Sequence, residues 1–145
     1  MSILINKNTK VVIQGITGRE ASKVSGEMQA YGTKILAGVT PGKGGQDVNG
    51  VPVYDTVKEA LQNHSDINTS LIYVPPFAAK DACLEAIANG LKLLDVITER
   101  IPIIDTAVIL AEARKSGVTV VGPTSVGIIT PGECKLGPIG GNNPD

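Results

Sequence analysis

The chain has 145 residues, 42% of them hydrophobic, a length that matches one domain built around one core. Its 13 Lys plus Arg against 14 Asp plus Glu leave a net charge of -1, which excludes a broad electrostatic attraction to nucleic acid or anionic lipid and means that any anion must be bound locally. One Phe, three Tyr and no Trp exclude an aromatic stacking surface for single-stranded nucleic acid, and no apolar run approaches the roughly 18 residues a membrane span requires.

Lys10-Val11-Val12-Ile13-Gln14 is predicted as the first strand. It runs into Gly15-Ile16-Thr17-Gly18, after which Ala21, Val24, Met28 and Tyr31 recur at helical spacing. A second strand, Ile35 to Val39, ends in Thr40-Pro41-Gly42-Lys43-Gly44-Gly45, too rich in glycine to continue a regular element. Asp55 is expected to cap a short helix carrying Val57, Ala60 and Leu61. A third strand, Ser70 to Val74, is stopped by Pro75-Pro76. The helix after it puts Ala79, Ala82, Cys83, Ala86 and Ile87 on one stripe and ends at Gly90. Leu93 to Thr98 reads as a fourth strand, Asp105 as the cap of a helix closed by Gly117, and Val118 to Val121 as a fifth strand.

Strands alternating with helices at this spacing imply a doubly wound, Rossmann-like parallel sheet of five strands with helices on both faces, expected order 3-2-1-4-5. Residues 1–122 should form that domain. Residues 123–145 should form an irregular or short-stranded extension of it, and Gly140 to Asp145 reads as a linker toward a further domain. Cys83 and Cys134, far apart, make neither a disulfide framework nor a zinc pattern and suit a reducing cytoplasm.

In an open parallel sheet, ligands sit beyond the carboxyl ends of the strands, which directs attention to residues 15–20, 40–45, 75–77, 97–101 and 122–127. Gly15 and Gly18 let the backbone turn tightly. Amides at the following helix start attract phosphate, and Arg19 adds a charged donor. Thr17 and Glu20 stand where a dinucleotide fingerprint would place its second and third glycines, so the turn is not G-x-G-x-x-G. The second strand ends on Thr40, where an NAD domain carries an acid for the ribose, and Lys43 follows. A cation there suits a ribose phosphate, present both in NADP and in the 3′-phosphorylated ADP of coenzyme A.

The phrases Lys7-Asn8-Thr9-Lys10-Val11, Tyr31-Gly32-Thr33-Lys34, Gly38-Val39-Thr40-Pro41-Gly42-Lys43-Gly44-Gly45, Ile72-Tyr73-Val74-Pro75, Ile97-Thr98-Glu99 and Ile128-Ile129-Thr130-Pro131-Gly132-Glu133-Cys134-Lys135 together resemble the succinyl-CoA synthetase α-subunit family over nearly the whole chain. The resemblance implies that coenzyme A is held by Thr17, Gly18, Arg19 and Glu20, by Lys43, and by Ile97, Thr98 and Glu99. It implies an acid-CoA ligase driven by a nucleoside triphosphate, a β-subunit partner, and a phosphorylated histidine in a second domain. His64, in the polar stretch Gln62 to Asp66, is the lone histidine and lies outside the strand-end crevice. No catalytic or metal-ligating role is therefore assigned within the chain. Two positions depart from the family pattern: Arg100 stands where glycine is usual, and Gly122-Pro123-Thr124-Ser125-Val126-Gly127 replaces Gly-Pro-Asn-Cys-Pro-Gly. A stand-alone coenzyme A-binding module and an NADP-binding oxidoreductase domain are the competing expectations.

Overall fold

A computed structural model describes residues 2–140; the expected linker beyond Gly140 lies outside the described residues. The predicted first strand forms as β1 (Lys10–Gln14), followed by α1 (Arg19–Tyr31) and β2 (Lys34–Val39). The stripe Ala21, Val24, Met28 and Tyr31 is buried, each larger side chain contributing about 1.5–3 kcal/mol relative to exposure. Gly32, at φ 103, closes α1 in the left-handed conformation that glycine adopts at little cost.

Two elements follow that the sequence reading did not place. Strands β3 (Asp47–Val48) and β4 (Val51–Tyr54) form an antiparallel hairpin around Asn49 and Gly50, both at positive φ, the turn chemistry that a two-residue hairpin loop requires. Strand β4 then pairs parallel with β2. After it come α2 (Val57–Asn63), β5 (Thr69–Ile72), α3 (Pro76–Ala88), β6 (Leu93–Val96), α4 (Ile103–Ser116) and β7 (Thr119–Val121). The short strands β8 (Ile128–Thr130) and β9 (Cys134–Leu136) end the described chain as a separate hairpin.

The sheet has seven strands in the order β3-β4-β2-β1-β5-β6-β7, and all but β3 run parallel. The α/β class is as expected; the strand count and the placing of the third predicted strand are corrected. Strand β5 lies directly beside β1, and the place beyond β2 belongs to β4. With β4 counted, the parallel strands read 3-2-1-4-5-6, the doubly wound order whose switch point falls between β1 and β5.

Two helix caps also differ. Thr56, not Asp55, caps α2, its hydroxyl accepting the Glu59 amide at 3.1 Å while the Glu59 carboxylate accepts the Asp55 amide at 3.2 Å. Helix α4 begins after Pro102, and Asp105 sits inside its first turn, 3.7 Å from Lys80 on α3.

The core is split by the sheet. One cluster, with Val12, Ile72, Cys83, Leu94 and Ile109, lies under α2, α3 and α4. The other, with Val11, Ile13, Met28, Leu71 and Leu136, lies under α1 and the terminal hairpin. The Thr33 hydroxyl donates to the Lys135 carbonyl at 2.7 Å and accepts the Lys135 amide at 2.9 Å; the Thr130 hydroxyl donates to the Ile5 carbonyl at 2.8 Å. Cys134 is buried in this contact rather than lying in a loose tail, and burial raises the pKa of both cysteine thiols, that of Cys83 to about 12. Neither thiol is a nucleophile as it stands.

Candidate functional site

Four of the five strand-end segments, 15–20, 40–45, 75–77 and 97–101, build a groove across the switch point. Gly15, at φ 89, turns the chain sharply at the end of β1, and its amide donates to the Val39 carbonyl at 2.7 Å. A Cβ there would lie 2.9 Å from the Val74 nitrogen and 3.0 Å from the Tyr73 carbonyl carbon, so only glycine lets the β1 and β5 turns pass this closely. Gly18 precedes α1 with extended backbone, and no side chain caps the helix. The first-turn amides of α1 are thus left without a capping acceptor at the mouth of the groove.

The Thr17 hydroxyl donates to the Thr40 hydroxyl at 3.1 Å, joining the two glycine loops. In the second loop the Asp55 carboxylate accepts the amides of Gly42 at 2.8 Å and Gly44 at 3.0 Å. Those amides are spent on holding the loop. What the loop offers an anion is the exposed Lys43 side chain.

A cavity of about 360 Å³ is lined by Gly15, Thr17, Gly18, Thr40, Pro41 and Tyr73, among others. A second, of about 380 Å³, shares Tyr73 and Val74 with it and adds Glu20, Ile97, Thr98, Glu99 and Arg100. Six of the eight expected residues therefore line one groove. Arg19 and Lys43 line neither cavity; both are exposed beside it. The Thr98 hydroxyl is engaged with the Val74 carbonyl at 2.7 Å, so it fixes the β5 turn against the end of β6. Sequence reasoning did not single out Tyr73, although its neighbours 75–77 were among the strand ends considered. A larger cavity of about 420 Å³, between Ser2–Ile5 and Ile128–Pro131, lies away from these residues.

The groove is chemically graded. Its α1 end presents helix amides with Arg19 and Lys43 nearby, suited to phosphate. Its β6 end presents the carboxylate of Glu99, which that of Glu20 joins from the first turn of α1, and the pair suits donors such as amide N–H or hydroxyl groups.

Both departures from the family pattern carry a backbone cost. Arg100 adopts φ 61 and Thr124 φ 58, the left-handed region that glycine and asparagine tolerate and other residues occupy at a cost. Replacing Arg100 with glycine is expected to raise stability by about 1 kcal/mol, read as a higher urea midpoint at unchanged slope. An unchanged or lower midpoint would mean that the arginine side chain makes compensating contacts. His64 is remote from the groove, at the C-terminus of α2, with its Nε2 3.1 Å from the Tyr54 hydroxyl.

Comparison with known proteins gives the family. The profile of the CoA binding domain family matches residues 6–100. The chain is 51% identical over 138 residues to the succinate–CoA ligase [ADP-forming] subunit alpha 2 of Archaeoglobus fulgidus, covering 94% of this chain and 47% of that protein. It is 51% identical over 140 residues to the corresponding alpha subunit of Aquifex aeolicus, covering 94% of this chain and 45% of that one. The chain thus spans less than half the length of these relatives. ATP citrate lyase from Methanothrix soehngenii, solved with citrate and coenzyme A, has the same fold over 93% of this chain and 24% of its own, with a TM-score of 0.81 at 23% identity. The family profile covers more than half of the chain, and it includes both glycine loops and the end of β6: the chain belongs to the CoA binding domain family.

Proposed function

We propose that the strand-end groove binds coenzyme A and that the chain is the cofactor-recognition part of an acid–CoA ligase driven by a nucleoside triphosphate, succinate–CoA ligase foremost. The observation that carries this reading is the Thr17–Thr40 hydrogen bond, which brings the uncapped start of α1 and the Lys43 loop to one cavity. Gly18, Arg19 and the first-turn amides take a phosphate. Lys43 takes the ribose phosphate. Glu20 and Glu99 accept from the amide and hydroxyl groups of the neutral arm, Ile97 supplies an apolar wall, and Thr98 holds the wall in place.

In the reaction proposed, succinate, coenzyme A and a nucleoside triphosphate give succinyl-CoA, the diphosphate and phosphate through a phosphorylated histidine. The relatives' names specify the ADP-forming version. His64 is not placed for that role, so the phosphoryl steps belong to residues other than those of this chain. A β subunit is the proposed partner and the cytoplasm the proposed location. Among the described residues no helix is long and apolar enough to cross a membrane. Phe77 at the start of α3 and Ile103 and Ile104 at the start of α4 are exposed, the kind of surface a protein partner covers.

Lys43→Ala is the test. It is expected to weaken coenzyme A binding about tenfold while leaving dephospho-coenzyme A nearly unaffected, as loss of one charge-assisted contact requires. Equal losses for both ligands would remove the 3′-phosphate contact from this account.

A further inference from the structure

Among the described residues, Asn49, Arg100 and Thr124 are the ones other than glycine that adopt a positive φ. Asn49 belongs to the β3–β4 hairpin turn, which calls for that conformation, and Thr124 lines neither cavity of the groove. Arg100, at φ 61, lines the cavity of about 380 Å³ together with Thr98, Glu99 and Glu20. A strained residue facing a ligand cavity points to a role for its side chain there.

Nothing else in the described protein engages that side chain. Among the described residues the Arg100 guanidinium makes no hydrogen bond and no ion pair, although the carboxylates of Glu20 and Glu99 line the same cavity. An arginine that served only to balance those two acids would sit against them. Arg100 is exposed, so its donors are open to a ligand, and their planar fork suits a carboxylate or a phosphate held through two oxygens.

The order of groups along the cofactor decides between the two anions. With the ribose phosphate at Lys43 and a further phosphate at the start of α1, the cavity of Glu99 and Arg100 receives the arm that ends in the thiol. That arm is neutral, its polar groups being amides and hydroxyl. The anion it can bring to Arg100 is therefore one on the acyl group that the sulfur carries. Resting on the reading that this groove takes coenzyme A, we propose that Arg100 is a specificity-determining residue that recognises the free carboxylate of such an acyl group. The groove then favours an acyl-CoA made from a dicarboxylic acid over one made from a monocarboxylic acid. Without Arg100, the same carboxylate would meet only the like charges of Glu20 and Glu99 in that cavity.

The test is calorimetric titration of the wild-type chain, Arg100→Gly and Arg100→Asn with three ligands: coenzyme A, its thioether ending in butanoic acid, and the thioether ending in the matching butanamide. Thioethers resist hydrolysis, and acid and amide differ in charge but hardly in size. Glycine and asparagine both tolerate the left-handed backbone, so both variants should fold. Wild type is expected to bind the acid roughly fivefold more tightly than the amide, the scale of a partly solvated charge pair. Both variants should lose or reverse that preference while binding coenzyme A itself within about twofold of wild type. A preference kept in either variant, or absent from wild type, would overturn the inference alone. Equal weakening of all three ligands in the variants would place Arg100 on a phosphate and also overturn it. If wild type binds none of the three, the function proposed above fails and takes this inference with it.

Discussion

Gly15→Ala should destabilise the chain by about 3 kcal/mol and abolish cofactor binding, whereas Gly18→Ala should leave stability within about 1 kcal/mol and weaken binding alone. Two costs combine at Gly15. Its φ of 89 is strained for any residue with a Cβ, and the added atom meets backbone atoms of Tyr73 and Val74 that cannot rotate away. The collision would push apart the β1 and β5 turns, whose proximity forms the groove. Gly18 has φ -64, and its added Cβ would come no nearer than 3.4 Å to the Gly15 carbonyl oxygen, an ordinary contact. Inside the protein that methyl group has room. Its cost would fall on a ligand approaching the α1 amides. Urea unfolding together with coenzyme A titration separates the two effects, and a Gly15→Ala chain as stable as wild type would show that the turns do not need to pass so closely.

Asp95→Asn is expected to stabilise the chain by about 3 kcal/mol at pH 8 and by nearly nothing at pH 4. The folded-state pKa of Asp95 is raised from 3.8 to about 6, so between those values the folded chain holds a proton that the unfolded chain has lost. Stability from this group is fully present below pH 3.8, declines as pH rises, and is gone above about 6. Two units correspond to about 3 kcal/mol. Asparagine carries no charge to bury at any pH. Urea midpoints of both proteins across that range check the sign. An advantage for Asp95→Asn that does not change with pH would mean that the charge of Asp95 is not what burial opposes.

The parts of the fold legible in the sequence are those where local signals and tertiary needs agree. Strand β1, the glycine turn and the buried stripe of α1 follow from one apolar run and one helical period. Strand β4 was hidden by its Pro52 and its length of four residues, although Asn49-Gly50 marked the hairpin before it. Missing it moved β5 to the wrong side of the sheet. Asp55 looked like a helix cap because its chemistry suits one, but the adjacent Thr56-Val57-Lys58-Glu59 is the stronger capping signal and frees Asp55 to hold the Lys43 loop.

For the site, the glycine loops and the Ile97-Thr98-Glu99 strand end were readable because strand ends are where ligands bind. Which groups are already engaged was not readable. Only the folded structure shows that Thr98 serves Val74 and that the Gly42 and Gly44 amides serve Asp55. Asp95 left a trace, an acid inside the apolar run Leu93-Leu94-Asp95-Val96-Ile97, but only the fold shows that it is fully buried with neither carboxylate oxygen hydrogen-bonded.

The most direct test of the central claim is calorimetric titration of the wild-type chain with coenzyme A and NADP side by side. Both ligands carry a phosphorylated ribose that Lys43 can meet, so discrimination must come from the rest of the groove. Thr40 offers no acid for a dinucleotide's ribose, and the Glu20–Glu99 end suits an amide-bearing arm. The account predicts saturable one-site binding of coenzyme A, at least about tenfold tighter than NADP. NADP binding as tightly or more tightly, or no saturable binding of coenzyme A, would contradict it.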